Sequence, residues 1–242
     1  MPTIFLGNTD TDGMVASPQG LDRRFRRFSA SAARRAIWMM SPGDAIVLPS
    51  PANAEYLRYV EQVSQYPEGS LHALAVGGDA GNPFPLNISR LSDATPTAWL
   101  QNVGVEGSRW TLEPYIADNI AFEFARQIGV PVSFGGTRAQ VVEAADIFND
   151  KRVFRAIAAG LGIPTAPGQT CISPEQLAAA FSNLIPRSGS VIVKVDRHSG
   201  ADGNVLVSAN SADVAPGTCR TYQVSGHSDY VEAARAVHTE LG

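Results

Sequence analysis

Lysine occurs at only two positions, Lys151 and Lys194, in a chain whose Lys and Arg together number 19. An ammonium is a compact point charge on a flexible stem, whereas a guanidinium is a rigid fork suited to bidentate partners. Both lysines stand where a phosphate could be met. Lys151 opens a helix in Asn149-Asp150-Lys151-Arg152. Lys194 closes the apolar run Val191-Ile192-Val193, just before the loop His198-Ser199-Gly200-Ala201-Asp202-Gly203-Asn204. Glycines let backbone N–H groups turn toward an anion and form a nest. Gly200 and Gly203 are placed for this, with Ser199 and Asn204 as side-chain donors. The competing reading is an arginine-favouring usage that left two lysines by chance, and the loaded positions of both weigh against it.

Other chemistries find less support. No GxxxxGK[ST] phosphate loop is present, and the loop Gly7-Asn8-Thr9-Asp10 after the first apolar run lacks GxGxxG. Dinucleotide binding is therefore a weak rival. Cys171 and Cys219 show neither CxxC spacing nor a His pair, which disfavours zinc and redox roles. Arg23, Arg24, Arg26, Arg27, Arg34 and Arg35 form one dense basic stretch, read as a solvated helix face diluted by Asp22. Trp38, Trp99 and Trp110 read as packing residues. Asn149 reads as the N-cap of its helix, with Arg152 and Arg155 pointing to solvent.

Composition bounds the rest. The chain has 242 residues, 44% hydrophobic and 17% charged, with a formal net charge of −4. Such a chain forms one large domain or two ordinary ones and has ample material for a core. The acidic balance speaks against nucleic acid as a partner, which requires clustered basic charge. No apolar run is long enough for a membrane span, and the N-terminus lacks the basic start of a signal peptide. A cytoplasmic location is expected.

The elements that must position the lysines follow from periodicity. Short apolar runs alternate with helix-period segments, which predicts α/β architecture. Strands are expected at Thr3–Gly7, Asp44–Pro49, Leu71–Val76 and Val130–Phe134. Leu21, Phe25, Phe28, Ala32 and Ala36 predict a long helix with one apolar face. Further helices are expected at Ala52–Gln65, Ile116–Ile128 and Thr137–Ala145, while Gly77–Pro114 gives no clear pattern. Beyond a junction near Ala145–Phe148, Val153, Ile157, Ala158 and Leu161 line a helix. Ser173-Pro174-Glu175 starts another, with Ser as N-cap and Pro at N1. Ser190–Val195, Asn204–Ser208 and Thr218–Val224 are strands, and Asp229–Leu241 is a closing helix.

Several segments resemble the ATP-grasp ligases, and specifically the pheganomycin-type peptide ligases. They are Asn149-Asp150-Lys151, Gly162-Ile163-Pro164-Thr165-Ala166-Pro167, Val191-Ile192-Val193-Lys194 and Ser199-Gly200-x-x-Gly203-Asn204. Ala33-Arg34-Arg35-Ala36-Ile37-Trp38 and Gly43-Asp44-Ala45-Ile46-Val47-Leu48-Pro49 are similar to that subgroup's N-terminal domain. The resemblance implies a Rossmann-like pre-ATP-grasp domain over residues 1–146. A small α+β ATP-grasp subdomain would follow over 147–242, its C-terminal lobe missing. It implies ATP as cofactor, held by Lys151, Lys194, Ser199, Gly200, Gly203 and Asn204. The implied activity is carboxylate–amine (peptide) ligation through an acyl phosphate, with amino acids or peptides as substrates.

The acidic residues after Lys194 form no Glu/Glu-x-Asn set of the kind that holds Mg2+ in these ligases. The metal ligands are thus expected outside this chain, and no catalytic residue is assignable within it. Truncation is the favoured expectation, in which case the chain alone binds ATP weakly and ligates nothing. The alternatives left open are a complementing C-terminal lobe from another polypeptide, a homo-oligomer, and a non-catalytic nucleotide- or peptide-binding module.

Overall fold

The computed structural model describes residues 1–11, 14–15, 22–76, 84–105, 109–198, 203–218 and 220–241. The chain is mixed α/β and divides into two compact units, Met1–Asp146 and Ile147–Gly242.

Unit 1 is built on a parallel four-stranded sheet. Its strands are β1 (Thr3–Leu6), β2 (Ala45–Leu48), β3 (His72–Ala75) and β4 (Thr111–Pro114), in the order β3-β2-β1-β4. Successive side chains of a strand point to opposite faces, and the core divides accordingly. Ile4 and Leu6 of β1 join Ala45, Val47 and Leu112 under Phe124 of α5 (Asn119–Ile128). Phe5, Ile46 and Leu48 face the other way, toward Val60 of α2 (Ala54–Val63) and Ile37. All four residues of β2 are buried, as a central parallel strand covered on both faces requires. The result is a Rossmann-like three-layer unit.

Buried polar groups fix the strand ends opposite the β1 loop. Asp44 accepts from the N–H groups of Thr3 and Ser41, each at 2.7 Å, tying the entry of β2 to that of β1. Glu61, 3% exposed on α2, accepts from the N–H groups of Gly69 at 3.1 Å and Leu71 at 3.0 Å. The pattern-poor stretch holds two short helices, α3 (Ile88–Leu91) and α4 (Ala94–Asn102), and β4.

Two expectations are corrected here. The first helix, α1, spans only Arg23–Ala32 and then tightens into a 3-10 segment, Ala33–Met39. Its buried residues are Ala30, Ala33 and Ile37, whereas Phe28 is 67% exposed. Small residues won because the helix lies close to the sheet; a Cβ on Gly7 would stand 3.3 Å from the Ala33 Cβ. Leu21 lies outside the described residues. The predicted strand Val130–Phe134 is a single bridge between Leu112 and Val132. Pro131 has no N–H to give a ladder, and Gly135-Gly136 follow at once.

α5 ends on Gly129 at φ 72°, a left-handed cap that glycine adopts without strain. α6 (Arg138–Asn149) follows and buries no side chain. Arg138 on it bonds Glu123 and Asn119 of α5. Among the tryptophans, Trp110 is buried and donates to the Gly104 carbonyl at 3.1 Å. Trp99 packs against the core, while Trp38 stays 45% exposed beside Tyr56 and Tyr59.

Unit 2 holds α7 (Lys151–Gly160), α8 (Pro174–Ser188), β5 (Ser190–Val193), β6 (Val205–Ser208), β7 (Arg220–Gln223) and α9 (His227–Leu241). β5 and β6 form an antiparallel hairpin and β7 adds parallel to β6. α8 and α9 cover one face, burying Phe181, Ile185, Val205, Val207, Ala234 and Val237 together. Ser173 caps α8 through the Gln176 N–H with Pro174 in the first turn, as the sequence predicts. Of the predicted α7 face only Ala158 is buried; Val153 is 37% and Leu161 71% exposed. The periodicity marks the helix but not what it packs against.

Candidate functional site

The start of α7 and the mouth of the β5–β6 hairpin are brought together by a small set of polar contacts. Val193 pairs with Val205 as the last rung of the hairpin. Lys194 and Asn204 therefore flank its open end, one on each strand. Val191 and Val193 pack toward α8 and α9, whereas Ile192 is 44% exposed on the opposite face. Strand alternation gives Lys194 the same outward parity as Ile192, and Lys194 is exposed.

The N-cap of α7 is Asp150, not Asn149. Its carboxylate accepts from the N–H groups of Arg152 at 2.9 Å and Val153 at 3.3 Å, satisfying donors that the first turn leaves open. The Arg152 guanidinium closes on the same carboxylate at 2.9 Å and holds its pKa down to about 2. Arg152 also reaches Asp196 at 2.9 Å, so it joins the helix start to the hairpin rather than pointing to solvent. Arg155 likewise turns inward, donating to the carbonyls of Ala166 at 2.9 Å and Gly168 at 3.2 Å.

Lys151 completes the clasp. Its backbone N–H donates to the Asp196 carbonyl at 3.2 Å. Its ammonium donates to the carbonyls of Asp196 and His198, both at 3.1 Å. An ammonium has three donors, so one remains for a ligand. Burial lowers the Lys151 pKa; Asp196 opposes that shift and the nearby positive charge of Lys194 adds to it. The two ammonium groups are thus near enough to feel each other across the hairpin mouth. That is an arrangement in which an added anion relieves repulsion.

Gly203 sits at φ 79°, and a Cβ there would meet the His198 ring at 3.3 Å. The turn into β6 therefore requires glycine on both backbone and steric grounds. Asn204 follows it, half-buried. Ser199 and Gly200 lie outside the described residues. Lys151, Lys194, Gly203 and Asn204 are gathered at one end of the β5–β6 sheet, with Asp150, Arg152 and Asp196 as the scaffold between them. The sequence offers Asp196 only as a residue to orient the loop, and its joining to Asp150 and Arg152 is not legible there; the Asp-Lys-Arg order at a helix start, with Asp196 two residues past Lys194, is the available signal. Among the described residues no group of three or more His, Cys, Asp or Glu is arranged to hold a metal ion. Among them too, no helix is long and apolar enough to cross a membrane.

Residues 33–130 match the family model described as the Pre ATP-grasp domain. The matched stretch runs from the 3-10 segment after α1 to the residue following the Gly129 cap, and so covers most of the parallel sheet of unit 1. The chain is similar over that stretch to a domain found with ATP-grasp proteins. No curated protein matches the chain.

Proposed function

We propose that the protein takes part in ATP-dependent carboxylate–amine ligation of the peptide-forming kind, through an acyl phosphate. Unit 2 binds the phosphates and unit 1 serves the substrate side. The observation that carries the reading is a clasped Lys151 ammonium beside the exposed Lys194 at the hairpin mouth, in a chain whose residues 33–130 match a Pre ATP-grasp domain. The resemblance to pheganomycin-type ligases supports the peptide-forming form of the reaction.

ATP supplies the phosphoryl group that activates a carboxylate. Lys194, exposed and unclasped by the α7 start, is suited to phosphate oxygens, where positive charge stabilises transferred charge. Lys151 is held by two carbonyls, so its remaining donor is already oriented when an anion arrives. Exposed Ile192, on the face of Lys194, offers an apolar surface for a base. The turn at Gly203 brings the backbone close on the second strand, and Ser199 and Gly200 complete the phosphate-facing loop in this reading. Magnesium ligands are assigned outside the described residues.

Equilibrium dialysis against ATP, with and without magnesium, tests the reading. Retained ATP that is lost in Lys194→Glu, with the circular dichroism spectrum unchanged, is the expected result. No retention, or retention indifferent to Lys194→Glu, overturns it.

A further inference from the structure

The loop after β1 carries a carboxylate that no group among the described residues satisfies. Asp10 is 1% exposed, and neither of its carboxylate oxygens has a hydrogen-bond partner. Its backbone sits at φ 55°, a left-handed conformation uncommon outside glycine. Burying such a group without donors is costly, and strained, unsatisfied residues of this kind gather where a ligand completes them. The location agrees. β1 lies between β2 and β4, so the chain leaves it toward opposite sides, and ligands of open parallel sheets sit at the carboxyl ends of strands at such a switch point.

The surroundings of the loop specify the ligand's chemistry. Asn8 is closed on Ile116 in both directions, and Asp118 is engaged by the Thr11 hydroxyl and the Ala121 N–H. Neither is available to a divalent cation, which takes several oxygen ligands. Asp10 alone suits a compact donor with several protons, an ammonium. The α1 face over these strand ends is cationic. Ser29 meets Thr9 at 3.3 Å, the neighbour of Asp10. Ser50, at the end of β2, donates to the Ala30 carbonyl and accepts from Arg34 at 3.1 Å. Arg26 stands one turn before Ala30 on α1, its guanidinium over the Phe84 ring at 4.3 Å, and Arg34 lies just beyond α1 in the 3-10 segment; among the described residues the Nε atoms of both arginines are buried without a hydrogen-bond partner. A guanidinium with unspent donors matches a carboxylate.

We propose that the carboxyl end of β1 binds a free α-amino acid, Asp10 taking its ammonium and Arg26 and Arg34 its carboxylate. This deepens the ligase reading by giving the substrate class a site, and depends on that reading only for the chemistry after binding. The intact chain, without ATP, is dialysed against a mixture of the standard L-amino acids, and in parallel against their deaminated acids. One or a few amino acids are retained and the deaminated acids are not. Asp10→Asn lowers that retention about tenfold or more, the weight of one charge-assisted contact. Asn accepts the left-handed backbone and removes an unsatisfied charge, so the melting temperature of this variant stays level or rises and lost retention is not a consequence of unfolding. Retention of no amino acid, equal retention of the deaminated acids, or unchanged retention in Asp10→Asn overturns the proposal. ATP retention by the unmodified chain, measured alongside, reports on the nucleotide reading separately.

Discussion

The two units treat their polar loops in opposite ways. Unit 1 buries the described polar residues after β1 and the α5 cap beside them: Asn8 is fully buried, and Asp10, Thr11 and Asp118 are at most 4% exposed. Unit 2 leaves Lys151 and Lys194 exposed at the hairpin mouth. A buried carboxyl has the stronger interaction with one matching group but must first lose water. An exposed ammonium keeps its water and draws anions from a distance. The contrast accords with the two proposals, a small ligand in unit 1 and a highly charged one in unit 2.

The sharpest way to test that separation is to break one core at a time. Phe124 and Phe181 are each almost wholly buried, one per unit. Truncation to Ala costs about 3–5 kcal/mol at such sites. All three tryptophans, Trp38, Trp99 and Trp110, belong to unit 1, so tryptophan fluorescence, excited selectively over Tyr222 and Tyr230 of unit 2, tracks that unit alone. Phe181→Ala is expected to move the circular dichroism transition while the fluorescence transition stays, and Phe124→Ala to move the fluorescence transition. Coincident shifts in both variants would merge the two units into one cooperative body.

Next comes the charge pair. Lys194→Glu is expected to weaken ATP retention by about a hundredfold, since it removes one charge-assisted contact and adds a repulsive one. Amino-acid retention by unit 1 serves as the internal comparison. Gly203→Ala should act through the backbone, costing about 1–2 kcal/mol for the left-handed φ of 79°. A urea titration of unit 2 reads that cost.

The smallest effect concerns acid. Arg152 holds the Asp150 carboxyl from its ordinary 3.8 down to about 2 in the fold. A depressed carboxyl contributes stability that is whole above about 3.8 and is lost as pH falls toward about 2. Asp150→Asn should flatten the acid limb of unit 2 over that window while leaving fluorescence of unit 1 unchanged. An unaltered acid limb would remove the pairing from the account of stability.

What could be read from sequence differs by region for a physical reason. β1, β2, β5, β6 and the caps Ser173 and Gly129 are local signals, set by apolar runs and by donors within a turn. The lysines were legible because their type is rare in this chain. Asp150, Arg152 and Asp196 were not, because their value lies in a meeting of segments far apart in sequence. Asp10 was harder still: its loop was set aside for lacking a glycine fingerprint, and only burial shows that its carboxyl has no partner. Phe28 misled in the other direction, since helical spacing records which side chains share a face but not whether anything lies against it.

Glu61 governs more than its two bonds. Among the described residues β3 lies at the margin of the sheet, with a neighbour on one side only, and a slip of one residue there would turn its inward side chains outward. By holding the chain at Gly69 and Leu71, just upstream of His72, one side chain on α2 acts as an alignment pin for the whole strand. The register of β3 is thereby held from outside the strand as well as by its own short His-Ala-Leu-Ala sequence, whose Ala73 packs against the core.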